Sequence, residues 1–199
     1  MKMVLASKSP RRQEILRKYI QDFIIVESDF EEIMDDSLAP EALAMSLAYQ
    51  KAADVQSQVG DQALILAADT IVVADRVLGK PKDRADAKAM IKSLEGKRHA
   101  VITGIALLLG EKRVVDYQLT QVAFAPMSEE EIEGYLNAGD YGDKAGAYGI
   151  QGYAEPFVEE IRGSYSNVVG LPVERLYQVL KRDFGLDLMK GMTVSNEEE

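Results

Sequence analysis

Two periodicities take turns along this chain, and their alternation limits the fold more than any single residue does. Short apolar runs of strand length alternate with segments whose apolar residues recur every three to four positions, the spacing of one helical face. Val4–Ala6 reads as a strand. Ser9 and Pro10 then open a helix as N-cap and first helical residue, with Ile15, Leu16 and Tyr19 on its apolar face. Phe23–Val26 reads as a strand, and Glu41 to about Val59 as a helix stopped by Gly60. Leu64–Ala67 is an apolar strand that ends in Ala68-Asp69-Thr70; Ile71–Val73 continues extended to a turn at Asp75-Arg76.

The second half repeats the theme. Asp83 caps a helix striped by Ala87, Met90, Ile91 and Leu94 and ended by Gly96. Two long strands follow, Ala100–Leu109 and Val114–Phe124, joined by a hairpin turn at Gly110–Arg113. Ser128 and Glu131 have capping-box spacing ahead of a helix bearing Ile132, Tyr135 and Leu136. Asn137–Gly152 reads as a long Gly-rich loop, Gly163–Pro172 as a turn plus strand, and Glu174–Phe184 as a closing helix. Helical crossovers beside at least one hairpin imply an α/β fold: a mixed, twisted sheet with flanking helices. Without repeat or linker, residues 1–190 read as one α/β domain and 191–199 as an acidic tail.

Composition excludes several classes of function. There is no cysteine, hence no disulfide, thiolate metal site or cysteine nucleophile. One histidine, His99, cannot make a multi-histidine zinc site, and it reads as structural. No apolar run reaches the roughly 18 residues of a membrane span, and the N-terminal apolar stretch is too short for a signal peptide. A cytoplasmic protein without a membrane partner is expected. A formal charge of −10 disfavours tracking a nucleic-acid backbone. Against that sign, several Lys and Arg sit beside glycines and small polar residues, a pattern suited to a small polyanion.

Five segments could carry chemistry. Ser7-Lys8-Ser9-Pro10-Arg11-Arg12 lies between a strand and a helix, where free N–H groups and the helix dipole favour an anion. Two arginines oppose that dipole unless an anion lies between them; the alternative is a solvated basic turn. Asp69 ends an apolar strand, and strand C-termini are where α/β folds bind ligands. Burying such an acid needs a partner or a metal; the alternative is a turn aspartate. Lys80 in Gly79-Lys80-Pro81-Lys82 either reaches phosphate or is part of a polar loop. The stretch Asp143–Gly152, with Lys144 and Gln151, has small residues that let backbone approach a ligand, Gly149 and Gly152 flanking Gln151. It lacks Walker A spacing. Gly163–Pro172 is the fifth.

Taken in order, SKSPRR, AADT, GKPK, HAVITG, DKAGAYGIQG and GSYSNVVGLP resemble the Maf family of nucleotide pyrophosphatases over nearly the whole chain. The resemblance implies an α/β fold similar to that of inosine triphosphate pyrophosphatases, with two lobes around a cleft. It implies hydrolysis of nucleoside triphosphates between the α and β phosphates with a divalent metal, Mg²⁺ or Mn²⁺. The family's proposed catalytic residue falls on Asp69, as base, metal ligand or both; Ala68 replaces the commoner glycine before it. Ser7, Arg11, Arg12, Glu32, Lys51 and Lys80 fall where the family keeps pocket residues, and Lys144 joins the substrate-binding set. Glu32 and Asp69 are the metal carboxylates that the resemblance supplies. AYGIQG is similar to the branch that takes dTTP and UTP, whose specificity positions match Arg11, Thr70 and Gln151. The side-chain amide of Gln151 can pair with uracil O4 and N3–H. The assembly kept open is a homodimer. The rival functions are a nucleotide-binding regulator of cell division and a purine-directed pyrophosphatase.

Overall fold

A computed structural model describes residues 2–31, 34–35, 37–190 and 193–194. The strands are β1 (Lys2–Ala6), β2 (Ile24–Ile25), β3 (Ala63–Val73), β4 (Val77–Leu78), β5 (Arg98–Leu109), β6 (Lys112–Phe124), β7 (Val158–Arg162), β8 (Leu186–Asp187) and β9 (Thr193–Val194). The helices are α1 (Pro10–Arg17), α2 (Pro40–Val59), α3 (Arg84–Leu94), α4 (Glu129–Ala138), α5 (Tyr165–Val169) and α6 (Val173–Phe184). The main sheet runs β2-β1-β3-β5-β6-β7, with β4 paired to β3. Pairing is parallel where β1 meets β2 and β3, and antiparallel for β3–β4 and β6–β7. The sheet is therefore mixed, as the alternation of crossover and hairpin requires.

Two compact units share these strands. The first comprises residues 1–69, 103–118 and 170–199. Its core follows from strand alternation: Val4 and Ala6 on β1, Ile65 and Ala67 on β3, and Ala106 and Leu108 on β5 point to one face. The register Val4↔Ile65 and Ala6↔Ala67 lines them up. They meet Ala48, Ala52 and Val55 of α2, whose alanines let the helix come close. The tightest approach is at Gly104, where a Cβ would lie 2.3 Å from the Ala44 carbonyl oxygen. Met3, Leu5, Leu64, Leu66, Ile105 and Leu107 occupy the opposite face and are also buried, so water is excluded from both sides of these strands.

The second unit comprises residues 70–102 and 119–169. Its core joins the α3 stripe (Ala87, Met90, Ile91, Leu94) to Phe124 of β6 and to Ile132, Tyr135 and Leu136 of α4. The expected caps form here. The Asp83 side chain accepts from the Asp86 N–H at 2.8 Å, and Ser128 and Glu131 make both bonds of a capping box.

Two local expectations need correction, and one strand was not foreseen. Ser9 occupies the N-cap position of α1, but its hydroxyl makes no capping bond; the Ser7 hydroxyl accepts the Ser9 N–H instead, at 3.2 Å. Residues 165–169 are a helix and not a strand. The Ser164 hydroxyl accepts the Asn167 N–H at 3.2 Å, while the Asn167 amide donates to Val101 O and Thr120 Oγ1, both at 3.0 Å. These side-chain bonds override the strand preference of Val168-Val169. The strand in this region is β7, which periodicity did not reveal.

Candidate active site

The candidate residues divide between the two units. In the first, β1 and β3 run parallel and stay paired up to Ala6↔Ala67; β1 ends there, so Ser7 leaves the sheet at its carboxyl edge while β3 continues through Asp69 to Val73. Leu64 to Ala68 are fully buried, which places Asp69 within β3 directly after a dry run of strand. Its partner is Lys51 on α2, whose ammonium donates to Asp69 Oδ1. The side chains are 13% and 8% exposed, so the two charges neutralise each other in a largely desolvated position. The structure thus gives Asp69 the partner that burial demanded. Ser7 is buried just past the end of β1, while Arg11 and Arg12 sit half-buried in the first turn of α1. Arg12 Nε donates to Gly170 O at 2.7 Å, tying α1 to the turn ahead of α6.

In the second unit, Thr70 follows Asp69 on β3, and Lys80 is exposed in the loop after β4. The Gly146 N–H donates to Gly79 O at 3.0 Å, so the loop holding Lys80 is joined to the Gly-rich loop. Gly146 has φ +67°, and a Cβ there would come within 2.9 Å of Val72. Gln151 is exposed at the tip. Lys144 is buried in contact with Asp140 and Asp143, at 2.6 and 2.8 Å. The glycines beside Gln151 clear this ion pair, a role different from the close ligand approach expected from sequence. Glu32 lies outside the described residues.

His99 behaves as the structural residue it was read to be. It is 2% exposed and makes a 2.7 Å hydrogen bond with Tyr148 Oη. Burial holds its pKa down to about 4, so it is neutral near pH 7. Burial likewise pushes the Tyr148 and Tyr135 hydroxyls upward, out of reach of ordinary titration.

Sequence reasoning missed three contributors. Gly104 sits in the quoted HAVITG motif without having been singled out. Asp140 had a signal, its spacing of four from Lys144. Gly170 lay in the fifth candidate segment and the quoted motif GSYSNVVGLP, but its bond to Arg12, 158 positions away, had no local signal.

A profile of the family described as Maf-like protein matches residues 2–183. The chain belongs to the Maf-like family. A dTTP/UTP pyrophosphatase of Clostridioides difficile (strain 630) is 46% identical over 195 residues, 96% of this chain and 100% of that protein. A dTTP/UTP pyrophosphatase of Caldanaerobacter subterraneus subsp. tengcongensis is 49% identical over 189 residues, 94% of this chain and 91% of its own length. Among solved structures, a HAM1 protein from Coxiella burnetii superposes with TM-score 0.52 at 15% identity, over 92% of this chain and 99% of that one. That likeness establishes that this Maf-like chain shares its α/β fold.

Proposed function

We propose that this Maf-like protein hydrolyses dTTP and UTP between the α and β phosphates, releasing the monophosphate and pyrophosphate. The observation that carries the hydrolytic reading is the buried Asp69–Lys51 pair on β3, just past the carboxyl end of the parallel strand β1. A protein that only binds nucleotide has no need of an acid there, whereas hydrolysis needs a group to orient and deprotonate water. The substrate class follows from full-length relatives named dTTP/UTP pyrophosphatase.

In this reading Arg11, Arg12, Lys51 and Lys80 balance a substrate bearing roughly four negative charges. Ser7 hydrogen-bonds phosphate, and Arg11, Thr70 and Gln151 select the base. Among the described residues, no three His, Asp or Glu side chains cluster to form an all-protein metal cage. Asp69 nonetheless fits Mg²⁺ or Mn²⁺, which bind through one or two carboxylates together with phosphate oxygens and water; Glu32 is the proposed second carboxylate. Such an ion supplies charge neutralisation at the α-phosphate and a more acidic water. Asp69 serves that chemistry as base, ligand or both.

No helix among the described residues is long and apolar enough to cross a membrane. A cytoplasmic location, where free nucleotides are, and a homodimeric assembly belong to the same proposal. The deciding experiment incubates purified protein with dTTP, UTP, CTP, GTP and ITP plus Mg²⁺ and resolves the products chromatographically. TMP and UMP with pyrophosphate are expected, and activity is expected to vanish in EDTA. UDP as the main product from UTP, or a purine substrate ranked first, overturns the assignment.

A further inference from the structure

The Gly-rich loop of the second unit contains an ion pair that the proposed chemistry does not use. Lys144 has a side chain only 9% exposed and donates to Asp140 Oδ1 and Asp143 Oδ1. Together the three side chains carry one net negative charge. Such a cluster repels a phosphate, which argues against Lys144 as a phosphate ligand.

The backbone on either side of Gln151 lies directly on this pair. A Cβ at Gly149 would stand 2.6 Å from Lys144 Cε and 2.8 Å from Cδ. One at Gly152 would stand 2.2 Å from Asp140 Oδ2. All three distances fall far inside the 3.4 Å at which ordinary contact begins. Gly149 therefore rests on the lysine stem and Gly152 on the aspartate. The Gly152 N–H donates to Gly149 O at 3.2 Å, closing a turn with Gln151 inside it. The preceding residues have supports of their own. The Tyr135 hydroxyl donates to Ala147 O at 2.9 Å, and Tyr148 bonds His99. The Tyr135 hydroxyl also meets the Gly149 backbone and Ile150 is buried, and the ion pair forms the floor beneath Gly149 and Gly152.

We propose that the Asp140–Lys144 pair is the positioning element for Gln151, and that it thereby sets discrimination among triphosphate bases. Lys144 is then a positioning residue and not a phosphate ligand. The inference rests on Gln151 being the base-reading residue.

The test compares kcat and KM for dTTP and GTP in Asp140→Asn, Lys144→Ala and Gly149→Ala, with Gln151→Glu as reference and thermal melts as a check on folding. A displacement of about 1 Å at a positioned group costs up to about a hundredfold. Each of the three is expected to shrink the dTTP preference by about tenfold, through KM. Gly149→Ala is expected to add little in the Lys144→Ala background, where the side chain it strikes is gone. If Lys144→Ala does not fold, Asp140→Asn and Gly149→Ala decide. Equal losses on dTTP and GTP in Lys144→Ala, with Asp140→Asn unaffected, would restore Lys144 as a phosphate ligand and overturn the proposal. An unchanged preference in all three variants, while Gln151→Glu shrinks it, rejects the ion pair alone. An unchanged preference in Gln151→Glu rejects the base-reading role and this inference with it.

Discussion

Gly104→Ala tests whether the close docking of α2 onto β5 makes the active site. The added Cβ would lie 2.3 Å from Ala44 O, 2.4 Å from Ala44 C and 2.6 Å from Met45 N. All three are helix backbone atoms, so no side-chain rotation relieves the clash. Ordinary contact begins at 3.4 Å, and α2 must therefore retreat by about 1 Å. Overpacking of this kind costs about 1–3 kcal/mol, and each kcal/mol lowers Tm by about 2–4 °C in a chain of this size. Lys51 lies on α2 two turns beyond Ala44, so the retreat also draws its ammonium away from Asp69. A misplacement of about 1 Å at a reacting centre costs up to about a hundredfold. Tm is read by differential scanning calorimetry, and kcat on dTTP well below both melting temperatures. The expected result is a lower Tm together with kcat down by about ten- to a hundredfold. An unchanged Tm refutes the docking argument. A lower Tm with unchanged kcat confines Gly104 to stability and removes Lys51 placement from its role.

Asp69→Asn keeps the shape and removes the charge and the basic oxygen; kcat is expected to fall at least about a hundredfold with folding retained, and near-wild-type turnover would exclude Asp69 from the mechanism. Gln151→Glu loses a donor and sets a charge opposite O4. Its kcat/KM for UTP and dTTP is expected to drop roughly ten- to a hundredfold, mostly through KM, with an unchanged ranking over UTP, dTTP, CTP and GTP as the contrary result. His99 has a folded pKa of about 4 against an ordinary 6.5, so between these values the unfolded chain binds more protons. Stability due to neutral His99 is complete above 6.5 and lost as pH falls towards 4, by on the order of 3 kcal/mol in all. Chemical denaturation at pH 7 and 4.5 should show this slope in wild type and a flatter one in His99→Gln; equal slopes would contradict it.

Local devices were legible in the sequence and distant ones were not. The caps at Asp83 and Ser128, the stop at Gly60 and the apolar stripes of α3 and α4 each depend on residues within a turn or two, and each forms as the pattern implied. Ser9 misled because the right residue type at the N-cap does not ensure the bond: its hydroxyl caps nothing, and its own N–H is taken by the buried Ser7 hydroxyl. The segment 165–169 misled because β-branched residues there are overruled by Asn167, whose amide reaches across to Val101 and Thr120. For the candidate site, the acid and the cations were visible by type and by motif. Their partners were set by packing that periodicity cannot see.

The two lysine–aspartate pairs show why partner identity matters more than residue type. Lys144 and Asp140 are four apart, so local chain geometry alone can bring them together, and their spacing was available in the sequence. Lys51 and Asp69 are 18 apart and meet only because α2 packs on β1, β3 and β5 through alanines and Gly104. The first pair survives any disturbance that leaves its loop intact; the second is lost if the helix shifts. A charge held by local geometry suits a brace, because it does not depend on the fold around it. A charge held by tertiary packing suits chemistry, because only the completed fold assembles it, just past the carboxyl end of the parallel strand β1, the kind of place where α/β proteins receive their ligands.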